Sequence, residues 1–386
     1  MRKLALALGI LLNMNASAQD CTVSKEETLN FVRNNVAKSD QDLYQNIMDL
    51  DSVKGLDLGQ KCLGDQSLLH VCNLPNLEWL NAWGDGCPKE GLLTGATLSA
   101  LKGLTHIRSI DLDYNNIDPA YLVNLNDLPN LRYLKLLGNH LGDQDLGALE
   151  QLSINGDVIL GDNHWERASA EKIAKFLSHT KMSGVDFGGV MNGGYAEDST
   201  VMGSLALVDS FFALKKLSIP GKVAGVSLAK LLNSVPLTSF ECSAISDETS
   251  FLTNLKENSD LTYFNVRLRT VNGLSALGKM KALNLSEISL YSSDPTYLEE
   301  ALKIKTDRYM FGYSKLDLEQ IRSFIQSAAP KLVVFDLKTK FYRSEQPDQF
   351  IGFYDDVTKE LLPSCQSKQC RVRVFNSDTP FEDWTF

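Results

Sequence analysis

The chain has 386 residues, of which 44% are hydrophobic and 22% are charged, so it can bury a large core and its composition excludes a disordered protein. The formal net charge is −10, which argues against general nucleic-acid binding and against adhesion to anionic lipid, because both require a basic face. Leucine accounts for 60 residues, well above its share in an ordinary globular protein.

The first 18 residues have the pattern of a secretory signal peptide, typical of bacteria. Arg2 and Lys3 precede an apolar run at residues 4–12, and residues 16–18 form a small-x-small cleavage site. We therefore expect an exported mature chain that begins at Gln19, in the periplasm, at the cell surface or in the medium. The apolar run is too short to span a bilayer and no later stretch approaches 18 apolar residues, so we expect no membrane insertion.

A capping box then predicts the start of a helix. Ser24 and Glu27 stand three residues apart, and the apolar residues Leu29, Val32 and Val36 follow at helical spacing. We expect these three apolar side chains to face inward.

Two later stretches repeat one pattern. Residues 104–117 and 128–141 both fit L-x-x-L-x-L-x-x-N-x-L, and the equivalent positions Ile110 and Leu134 lie 24 residues apart. Alternate side chains of the L-x-L segment point the same way, so we expect Ile110 to face the core and Asp111 to face outward. The asparagine is expected to face inward, where its amide can bond backbone groups of the turn.

This pattern resembles that of the leucine-rich repeat family. Extending the register gives these inward pairs: Leu56/Leu58, Leu80/Ala82, Ile110/Leu112, Leu134/Leu136, Val158/Leu160, Val185/Phe187, Leu217/Ile219, Phe240/Cys242, Phe264/Val266, Leu283/Leu285, Tyr309/Phe311 and Phe335/Leu337. The asparagine is present at Asn115, Asn139 and Asn163, and is replaced at Lys61, Asp85, Val190, Lys222, Ile245 and Arg269. The register is least secure after about residue 270.

The resemblance implies an α/β solenoid, a horseshoe with a parallel β-sheet on its concave face and a mixed helical and irregular convex side. It implies protein binding in general and names no ligand. Helical spacing between strands predicts helices at residues 169–179, 227–232, 297–303 and 317–327. The predicted organisation is a signal peptide (1–18), an N-terminal cap (19–52), about twelve repeats (53–340) and a C-terminal cap (341–386) with a last strand at residues 371–375, because uncapped terminal repeats would expose their core.

Six of the seven cysteines fall in or near the expected caps, and no C-x-x-C pair suggests zinc. Four N-terminal cysteines allow three pairings. The pairings that we favour are Cys21–Cys72, Cys62–Cys87 and Cys365–Cys370. Cys242 occupies an inward strand position, where we expect a buried apolar residue, with a reactive thiol as the alternative.

No phosphate-binding loop, dinucleotide fingerprint or hydrolase motif is present, so we expect no catalysis and no cofactor. His140 and His164 each follow a repeat asparagine and should lie about 5 Å apart on neighbouring strands, with Asp143 and Asp162 near in sequence. A metal site is one interpretation. We favour two exposed turn histidines, since no third ligand is fixed beside them.

Outward positions of the early repeats concentrate aromatic and charged residues, the composition of binding hot spots. The ligand-binding residues that we predict are Trp79, Trp83, Arg108, Asp111, Asp113, Tyr114, Arg132, Tyr133 and Lys135. In the alternative interpretation, Trp79 and Trp83 only pack against the N-terminal cap. A second, weaker surface comprises Tyr263, Asn265, Arg267, Met310 and Asp336.

These features favour an exported, non-catalytic protein that binds a protein partner through its concave face. Inhibition of an extracytoplasmic enzyme by wrapping it is one alternative. Glycan binding is another, because surface aromatic rings also stack on sugars. An enzyme whose site has no recognisable motif is a third.

Overall fold

The structure is a computed structural model, which describes residues 21–35, 49–165, 169–188, 203–208, 210–255, 260–266, 274–275, 288–290, 295–304, 306, 308–311, 323, 327, 332–336 and 372–375. The chain divides into two compact units, Met1–Gly193 with Phe212–Leu214, and Gly194–Phe211 with Lys215–Phe386. This division falls inside the predicted repeat array. The expected signal peptide and the predicted Cys365–Cys370 bridge lie outside the described residues.

The described part of the first unit contains six short strands that pair in chain order, all in parallel. They are β1 (Gly55–Asp57), β2 (Trp79–Asn81), β3 (Ser109–Asp111), β4 (Tyr133–Lys135), β5 (Asp157–Ile159) and β6 (Gly184–Asp186). The predicted inward residues occupy one register across the sheet, and each is buried: Leu56, Leu80, Ile110, Leu134, Val158 and Val185.

Between these strands, most connections are 3₁₀ helices rather than α-helices, because the apolar residues recur at every third position. Leu122, Leu125 and Leu128 are all buried, and a spacing of three matches the three residues per turn of a 3₁₀ helix. The 3₁₀ helices of this unit whose residues are all described are Leu50–Ser52, Asp65–Asn73, Lys89–Gly91, Leu98–Leu101, Pro119–Asp127 and Asp143–Asp145. The described α-helices are α1 (Lys25–Asn35), α2 (Leu146–Leu149) and α3 (Ala170–His179).

A ladder of buried asparagines joins successive repeats, as the sequence predicts. Oδ1 of Asn139 accepts a hydrogen bond from the backbone N–H of Ile117 at 3.1 Å, and its Nδ2 donates to the carbonyl of Leu112 at 2.9 Å. Asn115 and Asn163 make the equivalent bonds, each to a backbone N–H and a backbone carbonyl of the preceding repeat. Each amide therefore satisfies turn backbone that would otherwise be buried without partners.

At the N-terminal end, helix α1 is attached to the first repeats. Ser24 and Glu27 form the predicted capping box, and Val32 is fully buried. Both favoured N-terminal pairings are confirmed: Cys21–Cys72 ties the residues ahead of α1 to the first long 3₁₀ helix, and Cys62–Cys87 joins the loops after β1 and β2. Val36 lies outside the described residues.

The second unit begins with three parallel strands, β7 (Lys216–Val223), β8 (Ser239–Ile245) and β9 (Tyr263–Val266). Leu217, Phe240 and Phe264 share one buried register, as predicted, and Cys242 is a buried thiol. The described helices here are α4 (Gly225–Ser234), which was predicted, α5 (Glu248–Asn254), which was not, and the 3₁₀ helix Leu205–Leu207.

A second parallel sheet in this unit has four described strands. They are β10 (Ile288–Leu290), β11 (Arg308–Phe311), β12 (Leu332–Asp336) and β13 (Val372–Phe375), with α6 (Pro295–Ala301) between β10 and β11. The predicted strand at Leu283 and Leu285 lies outside the described residues. The described partner of β11 on this side is β10, where Ile288 pairs with Tyr309 and Leu290 with Phe311. The helix predicted at 317–327 lies almost wholly outside the described residues.

The repeat spacing, the parallel register and the asparagine ladder together confirm the predicted α/β leucine-rich repeat fold.

We expect Asn139→Ala to lower the free energy of unfolding by about 2–4 kcal/mol, because it leaves a buried N–H and buried carbonyls without partners. Asn130→Ala is the matched control, since that exposed asparagine makes one surface bond to Thr105. Urea denaturation measures both. An equal loss in the two variants would contradict the structural role of the ladder.

Candidate functional site

Two rows of outward side chains cross the six strands of the first unit. The first strand positions make the aromatic row: Gly55, Trp79, Ser109, Tyr133, Asp157 and Gly184. The third strand positions make the acidic row: Asp57, Asn81, Asp111, Lys135, Ile159 and Asp186. We call the surface formed by these two rows the open face.

Trp79 and Tyr133 are the exposed large side chains of the aromatic row, at 43% and 37%. They lie two strands apart, a separation of about 10 Å between their backbones. The indole of Trp79 lies over Gly55, where an added Cβ would come within 2.0 Å of the ring. Gly184 makes the same room for the carboxylate of Asp157. Sequence reasoning missed these glycines, although they occupy the repeat position of the aromatic residues.

Residues of the acidic row also form the turns at which the strands end. Side-chain oxygens of Asp57, Asn81, Asp111 and Asp186 each accept the backbone N–H of the residue two positions later, at 2.7–3.1 Å. These Asx turns account for the recurrence of Asp or Asn directly after the central core residue of a strand. Asp111 therefore has a local structural role besides any role in binding.

Lys135 is held between two carboxylates. Its Nζ lies 2.7 Å from Oδ2 of Asp111 and 3.9 Å from Oδ2 of Asp113. Asp113, which the sequence places outward, is in fact 8% exposed and accepts the backbone N–H of Leu137 at 2.8 Å. Burial raises the pKa of Asp113 to about 7, and the charge of Asp111 adds to this effect while Leu137 and Lys135 oppose it.

Tyr114 spans two repeats at the carboxyl ends of the strands. Its ring lies against Gly138, where an added Cβ would come within 2.5 Å of it, and its hydroxyl donates to Asp162 at 3.0 Å. All three residues have positive φ angles of 51° to 64°. Tyr114 is therefore held in place by its neighbours and is half-buried.

The other predicted residues differ in accessibility. Arg108 and Arg132 are exposed directly before β3 and β4, and Nη1 of Arg132 donates to the carbonyls of the preceding loop. Trp83 is half-buried beside the Cys62–Cys87 disulfide, and its indole N–H is buried without a partner among the described residues. Trp83 therefore offers less of its ring than Trp79 does.

The contacts identified for the two indoles come from the repeats. Trp79 contacts β1, and Trp83 borders a small cavity formed by the loops that follow β1 and β2.

His140 and His164 are neighbours, as expected. Nδ1 of His140 lies 3.2 Å from Nε2 of His164, and the rings stack with centroids 5.2 Å apart. Asp143 forms an ion pair with Lys172. In the described ranges, no group of three or more metal-ligating side chains is present, and the histidine pair stands as a hydrogen-bonded turn contact.

The second predicted surface is only partly described. Tyr263 is half-buried on β9, whereas the side chains of Asn265, Arg267, Met310 and Asp336 lie outside the described residues. None of the described helices has the length and apolar character needed to cross a bilayer.

The sequence matches no protein-family profile, and a search of curated proteins finds no match. Among the solved structures that resemble the chain are the following three, each at 13% identity. One is from the yeast Rad7–Elc1 complex, with a TM-score of 0.42 over 87% of this chain and 93% of that chain. The others are the complex of TLR13 with ssRNA13 (TM-score 0.31, 69% and 43%) and the plant peptide hormone receptor RGFR1 with RGF2 (0.25, 71% and 50%). This chain spans half or less of the last two, and the likenesses carry no ligand over to it.

We expect Asp113 to make stability depend on pH. Its pKa is about 7 in the folded chain and about 4 in the unfolded chain, so the folded state alone keeps the proton between these values. The free energy of unfolding should therefore fall as pH rises from about 4 to 7, by up to about 1.4 kcal/mol per pH unit from this group.

Asp113→Asn should remove this part of the slope, because asparagine is neutral and can still accept from Leu137. Urea denaturation across this pH range measures it. Asp127→Asn, at an exposed ion pair with Lys102, is the control that should keep the wild-type slope. Parallel slopes for Asp113→Asn and wild type would show that Asp113 titrates normally.

Proposed function

We propose that this protein is an exported, non-catalytic binding protein that recognises another protein through its open face, the predicted concave side of the repeats. The observation that carries the proposal is the exposure of Trp79 and Tyr133 in one row of a rigid sheet. Large aromatic side chains with few rotamers provide contact area at a low entropic cost.

The structure around Trp79 favours a binding role over a packing role. Gly55 leaves the space that the indole covers, so the ring is already supported in one position before a partner arrives. Half-buried polar side chains of the acidic row lie along one side of the rings, and polar residues at the edge of a binding patch are typical of protein interfaces.

Two features support export. The leader has the three parts of a signal peptide. The Cys21–Cys72 and Cys62–Cys87 disulfides suit an oxidising compartment, where they stabilise the first repeats.

The test is affinity capture with residues 19–386 from envelope and surface-protein extracts. We expect the variant Trp79→Ala with Tyr133→Ala to lose at least about 100-fold in partner affinity. The matched control is Tyr121→Ala with Val123→Ala, which removes two exposed apolar side chains from a 3₁₀ helix outside the open face. Equal loss, or no loss, in both variants would overturn the open-face site. Retention of protease-resistant carbohydrate instead of protein would make the ligand a glycan.

Gly55→Ala tests the placement of the ring without removing it. The new methyl group would overlap the indole of Trp79, so we expect the ring to move and partner affinity to fall about tenfold. Gly147→Ala, which meets no atom within 4 Å, is the control and should leave affinity unchanged. Wild-type affinity in Gly55→Ala would show that the position of the indole does not matter. Circular dichroism and the unfolding midpoint establish that both variants are folded.

A further inference from the structure

Charge is distributed unevenly across the open face. Asp57, Asp111, Asp157 and Asp186 are all half-buried in its two rows, and Lys135 is the one cation among the described residues of these rows. Its ammonium group already pairs with Asp111. The face therefore carries an excess of negative charge directly beside its exposed aromatic rings.

The raised pKa values of Tyr133 and Tyr114 reflect this negative charge in part. Burial raises the pKa of Tyr133, Lys135 partly opposes this, and the carboxylates of Asp186, Asp113 and Asp111 raise it further. Burial also raises the pKa of Tyr114 to about 12, assisted by its bond to Asp162 and by nearby carboxylates. Negative charge therefore reaches Tyr133 from the acidic row and both tyrosines from the turns that follow the strands.

Asp57 is well placed to serve a ligand. Its Oδ1 accepts the N–H of Gly59 and Nδ2 of Asn81, both at 2.9 Å, which fixes the carboxylate, whereas its Oδ2 has no described partner. Asp57 lies two residues after Gly55 on the same face of β1, so it is about 7 Å along the strand from the backbone under the indole of Trp79. A cation on the ring could therefore also reach a carboxylate.

We infer that the open face binds a basic segment of its protein partner, whose Lys or Arg side chains stack on Trp79 and Tyr133 and are neutralised by the carboxylates of Asp57 and Asp186. This inference rests on the proposed function. A cation over an aromatic face gains from the ring quadrupole, and a fixed carboxylate beside it supplies charge complementarity.

Basic residues at the amino ends of the strands restrict where the cations of the partner can lie. Lys54 pairs with Glu78 at 3.3 Å, while Arg108 and Arg132 are exposed. They repel cations from this edge, so the charged groups that stack on Trp79 and Tyr133 lie on the side of the rings that faces the acidic row. Carbonyl or carboxylate groups of the partner can accept hydrogen bonds from Arg108 and Arg132 at the amino ends of the strands.

The probe is a capped nine-residue peptide with arginine at every third position and glycine or serine elsewhere. In the polyproline II conformation, which has three residues per turn and a rise of about 3.1 Å, these arginines lie on one side of the chain about 9 Å apart, close to the separation of Trp79 and Tyr133. The same peptide with citrulline, which is neutral and nearly isosteric, is its control. We expect the arginine peptide to bind wild-type protein at least tenfold more tightly than the citrulline peptide, and binding to weaken with salt.

The protein variant is Asp57→Asn with Asp186→Asn, because asparagine keeps the oxygen that accepts the backbone N–H in each Asx turn. Asp51→Asn with Asp127→Asn removes the same charge from exposed positions outside the open face. We expect about tenfold weaker binding of the arginine peptide by the first variant and little change in the second.

Equal weakening in both variants would reduce the effect to net charge and overturn the inference. So would equal affinity for the arginine and citrulline peptides. If the captured partner depends on Trp79 and Tyr133 but the arginine peptide does not compete for it, the open face binds protein and the basic-segment inference alone is wrong. If the partner does not depend on the two aromatic residues, the proposed function itself fails.

Discussion

The structure of the first unit depends on satisfying backbone groups in turns that are buried between neighbouring repeats. Each turn follows a strand of only three residues and is covered by the repeats on either side, so solvent cannot reach its N–H and carbonyl groups. The amides of Asn115, Asn139 and Asn163 supply the missing partners, one acceptor and several donor bonds each. A side chain of this size with both donor and acceptor is needed there, which explains why the asparagine recurs with the leucines.

Short strands have a functional consequence. A strand of three residues has one inward and two outward side chains, so the sheet presents two rows. The side chain at the third position also forms the Asx turn that ends the strand, and this requirement accounts for Asp or Asn there in four of the six described strands. The first position forms no such turn, and Trp79, Tyr133 and the glycines are found there. Structural demands thus restrict most of one row to Asp or Asn and leave the other row to vary.

The sequence predicts the features that follow from periodicity. The inward strand residues, the asparagine ladder, the capping box at Ser24 and the two N-terminal disulfides follow from spacing. The register fails at β12, where Val333 and not Phe335 pairs with Tyr309, because Val333 with Phe335 and Phe335 with Leu337 both fit the alternation. The outward direction of Asp113 also fails, since alternation describes a strand and Asp113 already lies in the turn. The role of Gly55 was missed because it depends on the ring of a neighbouring strand, which a pattern within one repeat does not contain.

The buried Asp113 connects the core to the charge of the open face. Lys135 lies between Asp111 and Asp113, so its effective charge depends on whether Asp113 is ionised. With a pKa of about 7, Asp113 is largely neutral in mildly acidic surroundings, and Lys135 is then opposed by Asp111 alone. The three groups together are neutral in that state and carry one negative charge when Asp113 ionises. If the open face binds a basic segment as we infer, its attraction for that segment should therefore increase with pH near neutrality, although Asp113 itself is buried and need not contact the ligand.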